Sequence, residues 1–256
     1  MSKANAAIAK RNVFEMVKSQ VAKPAAELVE TGMPVSPYVQ FAHPQSKNYA
    51  QMTAALRGIT TGTPVLVNGN EFIKLDPFQF IALDQAYYQC FARYDGTGEI
   101  VGTLEPVGRC PKGSPGASWS ETITAVILLV VGNDIMPARC RFKGPKVPGI
   151  RGAINAIEEQ CKASDFAQRG KDQAKLAKSG TPEWAWLIHT GTVTEKKGQE
   201  SNMAYHELQS SFTLTPASVI GTLLKLQNSE DFAAVMGDVL EDHNEEVSKL
   251  EGLIGK

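Results

Sequence analysis

Five cations and no acid fall within residues 139–151, RCRFKGPKVPGIR: Arg139, Arg141, Lys143, Lys146 and Arg151. Cations bunched without counter-charges attract anions. On a strand, residues two apart point the same way. Arg139, Arg141 and Lys143 therefore form a row on one face, with Cys140 and Phe142 behind it in the core. The spacing within the row, about 7 Å, suits a chain of phosphates. Lys146 and Arg151 extend the patch through a Gly/Pro loop into a helix start, which adds its own partial positive charge. The same pattern also serves an ordinary solvated face, or an edge strand kept from self-pairing by charge.

Single-strand binders combine such a groove with rings that stack on bases. Tyr87, Tyr88, Phe91 and Tyr94 cluster near Arg93, and Trp184 and Trp186 share a face if their segment is a strand. The candidate nucleic-acid-binding set is thus Arg139, Arg141, Lys143, Lys146, Arg151 and Arg93, with Tyr88, Tyr94, Trp184 and Trp186 as stacking rings. Core filling is the competing role for every ring.

Enzyme signatures are missing. There is no phosphate loop, no dinucleotide fingerprint and no nucleophile elbow. Gly113-Ser114-Pro115-Gly116 places proline where a phosphate cradle needs an N–H. His43, His189, His206 and His243 lack a second ligand at metal-binding spacing, and His206 and Glu207 point to opposite faces of a strand. Asp84, in an apolar aromatic stretch, reads as a perturbed acid or as a turn residue at a bulge. No catalytic residue, metal or cofactor is predicted; a dispersed active site is the remaining enzymatic alternative.

The chain has 256 residues, 26 basic and 27 acidic, and is 43% hydrophobic. It can therefore build a core, and near-neutrality argues against wholesale wrapping in nucleic acid while allowing a local basic face. Cys90, Cys110, Cys140 and Cys161 are 20, 30 and 21 residues apart, which fits free thiols in a reducing cytosol. No apolar leader is seen at the start. The apolar run Ala125–Val131 is too short for a membrane helix and reads as a buried strand. The expected location is the cytoplasm, with no membrane partner.

These residues need elements to position them. Residues 3–31 read as a helix interrupted at Pro24. Tyr38–Phe41 reads as a strand, and Ser46 as the cap of a helix to Leu56. Asn68-Gly69 marks a type I′ hairpin between 64–67 and 71–75. Phe78–Tyr94 opens with a helical turn at Asp76-Pro77, then forms a hairpin with Glu99–Leu104. Residues 106–118 are a loop. Strands follow at 121–131 and 137–143, then a helix from Gly149 burying Ile150, Ile154, Ile157 and Cys161. A strand pair spans Trp184–Thr194 and Ala204–Leu214. Thr215-Pro216 starts one helix and Ser229 caps the last, where Phe232, Met236, Val239, His243, Val247, Leu250 and Ile254 form a nearly heptad seam. The expected fold is α+β, an antiparallel β-rich core (OB-like or a small barrel) with flanking helices. Its parts are an arm (1–33), the core with an inserted helix (34–214) and an acidic helical segment (215–256).

The hydrophobic strand from Thr122 leading into PARCRFKGPK, and the strand, charged excursion and strand from Trp184 to Phe212 before an acidic helix, resemble the layout of bacteriophage single-stranded-DNA-binding proteins with an OB-like core. The resemblance covers about half of the chain and implies sequence-tolerant single-strand binding in replication or recombination, without a cofactor, in the host cytoplasm. Such a protein binds single-stranded DNA or RNA, and its acidic end contacts partner proteins or competes for the basic groove. The departure is the tail, which reads as a long helix ending in Gly-Lys. The rival readings are a viral structural or assembly protein oligomerising through the C-terminal helix, and the dispersed enzyme.

Overall fold

In the computed structural model, the described residues are 36–46, 48–95, 98–106, 119–162, 187–197, 204–214, 217–226 and 229–255. The N-terminal arm, most of the 106–118 loop, and Trp184 and Trp186 lie outside them.

Turn chemistry fixes the hairpins. β2 (Pro64–Asn68) and β3 (Glu71–Lys74) pair across Gly69-Asn70. Gly69 has φ 58° and no described non-glycine residue has positive φ. The turn is therefore of the II′ kind and not the predicted I′, because the central pair is Gly-Asn, one residue later. β6 (Trp119–Val131) and β7 (Asp134–Lys143) join at Gly132-Asn133, so β7 starts before its predicted residue 137. β8 (Leu187–Lys197) and β9 (Ala204–Leu214) form a second long hairpin.

β4 (Phe78–Tyr94) is extended from its first residue, and the predicted helical turn is absent. Phe80 pairs with Leu129 of β6 on one side and with His189 of β8 on the other. Two ladders outweigh a local helix-start preference. Further along the same strand, β5 (Ile100–Leu104) takes the second edge. Between these lies a bulge. Ala82 faces Ile127 and Tyr87 faces Ala125, five residues advancing against two. The odd excess of three reverses the alternation, so Phe78 and Phe80 share a face with Gln89, Phe91 and Arg93. Asp84 lies inside this bulge.

With β1 (Tyr38–Phe41), the strand order is β3-β2-β1-β7-β6-β4-β8-β9, β5 also lying on β4. Every pair is antiparallel except β1 with β7. This is a curled, antiparallel-rich sheet with a few helices, an α+β fold. β7 is an interior strand, so its charges do not protect an edge.

Helices cover both faces. α1 (Tyr49–Ala55) is preceded by Asn48, not capped by Ser46, whose hydroxyl donates to the His43 carbonyl at 2.7 Å. A 3-10 turn (Gly144–Lys146) leads into α2 (Val147–Lys162), two residues ahead of the predicted start at Gly149; it buries Ile150, Ala153 and Ile154. α3 (Ala217–Leu226) contributes Val219 and Leu223 to the same core. In α4 (Glu230–Glu251), the Ser229 hydroxyl accepts from the Phe232 N–H at 3.4 Å, as predicted for a cap. Val235, Val239, His243 and Leu250 are buried on that helix, so much of the heptad-like seam is spent on its own sheet. No described helix is long and apolar enough to cross a membrane.

On the α2 face a chain of rings fills the interior: Phe142 to Phe41 (5.9 Å), Phe41 to Phe78 (6.1 Å), Phe78 to Phe80 (4.9 Å) and Phe80 to His189 (5.6 Å). β9 curls onto the start of α2, where Ser210 Oγ donates to the Gly149 carbonyl at 2.7 Å. A Cβ on Gly149 would stand 2.0 Å from the Leu208 carbonyl oxygen, whereas one on Gly152 meets nothing within 4 Å. Gly149→Ala is therefore expected to cost about 3 kcal/mol or more, since backbone cannot yield as a side chain does. Gly152→Ala should gain about 0.5–1 kcal/mol from helix propensity. Urea midpoints check both.

His189 is fully buried and neither ring nitrogen has a hydrogen-bond partner. Burial pushes its pKa down to about 4. The unfolded chain takes up this proton near pH 6.5, whereas the folded one does so only near 4. Stability should therefore fall as pH drops through that window, by about 3 kcal/mol in all. His189→Phe should flatten the slope of denaturation midpoint against pH between 6.5 and 4.

Candidate nucleic-acid interface

The strand alternation of β7 holds. Cys140 and Phe142 are buried towards α2, and Arg139, Arg141 and Lys143 line the opposite face. Register adds the tyrosines. Arg141 lies across from Thr124, which lies across from Tyr88, and Lys143 reaches Cys90 through Thr122. Tyr94, two pairs further along β4, shares this face.

The face is not the open one expected from the sequence. Its upper part is roofed by α4. Arg139 is 12% exposed and contacts Asp242 (Nη2–Oδ2, 3.4 Å) and Glu246 (Nη1–Oε2, 3.2 Å). Arg141 Nε donates to Glu246 Oε1 at 2.8 Å, and its Nη2 contacts the same oxygen. One carboxylate thus bridges two guanidiniums. Asp242 Oδ2 also accepts from the Ser36 N–H at 3.1 Å, and Arg139 Nε donates to Ser36 Oγ at 3.1 Å. Arg139 sits mid-sheet beneath a helix, where an unpaired charge would be costly, and the acids of α4 meet that demand.

Below α4 no described acid covers the row. Lys143 Nζ lies 3.4 Å from the centroid of the Tyr94 ring, and Tyr94 is itself buried with its hydroxyl 2.9 Å from Thr122 Oγ1. Tyr94 therefore supports Lys143 and cannot offer its ring to a base. Lys146 Nζ lies 5.1 Å from the Phe41 ring. Among the described residues neither lysine has a carboxylate within ion-pair reach. Burial, then the neighbouring Arg141, lowers the Lys143 pKa. Burial lowers that of Lys146 too, with Cys140 opposing the effect and Lys143 adding to it.

The remaining candidates separate. Phe41, under Lys146, belongs to the ring chain of the α2 face. Arg151, on α2, pairs with Glu121, which also accepts from Gln89 at 2.6 Å. Arg93 faces the same side, opposite Trp119 in register and 5.9 Å from its ring. The predicted continuous patch is thus split by the sheet: Arg139, Arg141, Lys143, Tyr88 and Tyr94 on one face, Lys146, Arg151 and Arg93 towards the other. Trp119, Asp242, Glu246 and Ser36 were not selected from sequence. An acid-rich helix was visible there, but its partners lie about a hundred residues away.

No group of three metal-type ligands forms among the described residues. Comparisons with family models, with curated proteins and with solved structures returned no match.

Glu246 should matter more than its acidic neighbours. Glu246→Gln leaves two guanidiniums short of a carboxylate and is expected to cost about 1–2 kcal/mol, Arg141 being partly screened at 42% exposure. Glu245, exposed and paired with Lys249, should cost under about 0.5 kcal/mol as Glu245→Gln. Denaturant midpoints of the two variants make the comparison.

Proposed function

We propose that this protein binds single-stranded nucleic acid along the Arg139–Arg141–Lys143 row, with Lys146 as a neighbouring cation where the chain turns past the end of β7 towards the other face. The observation that carries the reading is the Glu246 carboxylate bridging Arg139 and Arg141. It marks a place where an oxyanion is held by two guanidiniums from alternate strand positions, the geometry a phosphate would use. Among the described residues Lys143 continues the row and Lys146 stands near its end, neither with a counter-acid; burial first, then a neighbouring cation, lowers both lysine pKa values, and an incoming anion would offset the latter effect. Tyr88 shares this face as a candidate stacking ring.

The OB-like description belongs to the same proposal. The curled sheet supplies antiparallel strands for a groove, although its nine described strands exceed the five of an OB barrel. Replication or recombination in a host cytoplasm, which the layout resemblance to bacteriophage binders implies, is part of the same proposal. Since α4 occupies part of the row, phosphates and the α4 carboxylates compete for Arg139 and Arg141. Assembly through the C-terminal helix is the weaker reading, because Val235, Val239 and Leu250 already face their own sheet.

Fluorescence anisotropy with labelled single-stranded DNA and RNA at two salt concentrations tests the proposal. Binding should weaken steeply with salt. Lys143→Gln with Lys146→Gln should lower the slope of log affinity against log salt by about 0.7 for each phosphate no longer neutralised. Glu246→Gln should bind more tightly than the parent. Absence of binding at low salt by both the parent and Glu246→Gln would end the idea.

A further inference from the structure

His243 stands on the sheet-facing side of α4. It is 4% exposed, and its Nδ1 has no hydrogen-bond partner. Among the described residues, the charged and titratable groups along this side are Arg139, Arg141 and Lys143 on β7, Tyr38 on β1, Tyr88, Cys90 and Tyr94 on β4, and Asp242 and Glu246 on α4 itself. Glu246 has both oxygens engaged, Oε2 by Arg139 and Oε1 by Arg141. Asp242 Oδ2 is held by Arg139 and Ser36. Both oxygens of Glu246 and one of Asp242 thus already face a guanidinium. A proton on His243 adds a second buried positive charge beside Arg139.

We propose that protonation of His243 releases the middle of α4 from β7, making this helix a pH-controlled cover over Arg139 and Arg141. The imidazole takes its proton from solvent, and no other bond is made or broken. Burial lowers the His243 pKa, Glu246 opposes this and Arg139 adds to it. A lowered histidine pKa favours the docked state at pH above the ordinary value of about 6.5, and docking weakens as pH falls below it. The opening is local. Val235 and Val239 hold one end of α4 in the main core. Beyond the other end, the Thr103 N–H donates to the Leu253 carbonyl and the Gly255 N–H to the Thr103 carbonyl, both at 3.2 Å. The regulatory meaning rests on the proposed nucleic-acid role; the opening itself does not.

Hydrogen exchange on the full chain from about pH 7.5 to about pH 5, a range spanning the ordinary histidine pKa and corrected for intrinsic rates, tests it. Protection of residues 240–250 should fall at least about tenfold relative to β6 and β7 in the parent, and stay level in His243→Met. Equal loss in both proteins, or none in the parent, overturns the proposal. Should His243→Met fold poorly, the His243 ring is titrated in the parent by NMR, where a midpoint at or above about 6.5 overturns it. Anisotropy at both pH values separates the two ideas. Opening without oligonucleotide binding supports the switch and sinks the binding reading, whereas pH-independent binding with α4 still protected sinks the switch alone.

Discussion

The stretch Thr122–Val130 of β6 is buried at every position, so neither face of this central strand meets water. This constraint organises the molecule. One face needs α2 and the ring chain from Phe142 to His189. The other needs α4, with α3 beside it, where the Thr222 hydroxyl donates to the Asn133 carbonyl at the β6–β7 turn. Covering the second face brings a helix over Arg139. A guanidinium under a helix demands acid, and Asp242 and Glu246 supply it. The ion pairs follow from the burial rather than causing it, in keeping with the modest net gain that buried pairs bring.

Local chemistry was legible in the sequence. Gly69 and Gly132 sit at hairpin turns, Ser229 caps α4, and the alternation of residues 139–143 predicts which side chains face the core. Where the reading failed, distant pairing decided. The Asp76-Pro77 helix start lost to two ladders on Phe80. The bulge after Ala82 reverses the phase of β4, an effect no periodicity count across Phe78–Tyr94 can foresee. The cationic stretch looked continuous because β7, the 3-10 turn and α2 adjoin in sequence, yet α2 crosses to the opposite face and takes Arg151 with it. Trp119 acquires meaning only from its register with Arg93.

Tyr94 shows how one residue can be rightly placed and wrongly assigned. It lies on the face of the cationic row, as a stacking ring should. It is nevertheless closed from above by the Lys143 ammonium and tied through its hydroxyl to Thr122. An aromatic ring beneath a cation positions the charge instead of meeting a base. The feature separating these roles is access, which residue type does not carry.

The clasp of Leu253 and Gly255 on Thr103 has a further consequence. With both ends of α4 anchored, a displaced Glu246 cannot diffuse away from Arg139 and Arg141. Its effective concentration against them is that of a short tether, on the order of millimolar. A solitary small anion at micromolar concentration is outnumbered at that position. Under the proposed role, a polyanion that first engaged Lys143 would be tethered in its turn and would compete on equal terms, so that the clasp would act as a valence filter against monomers.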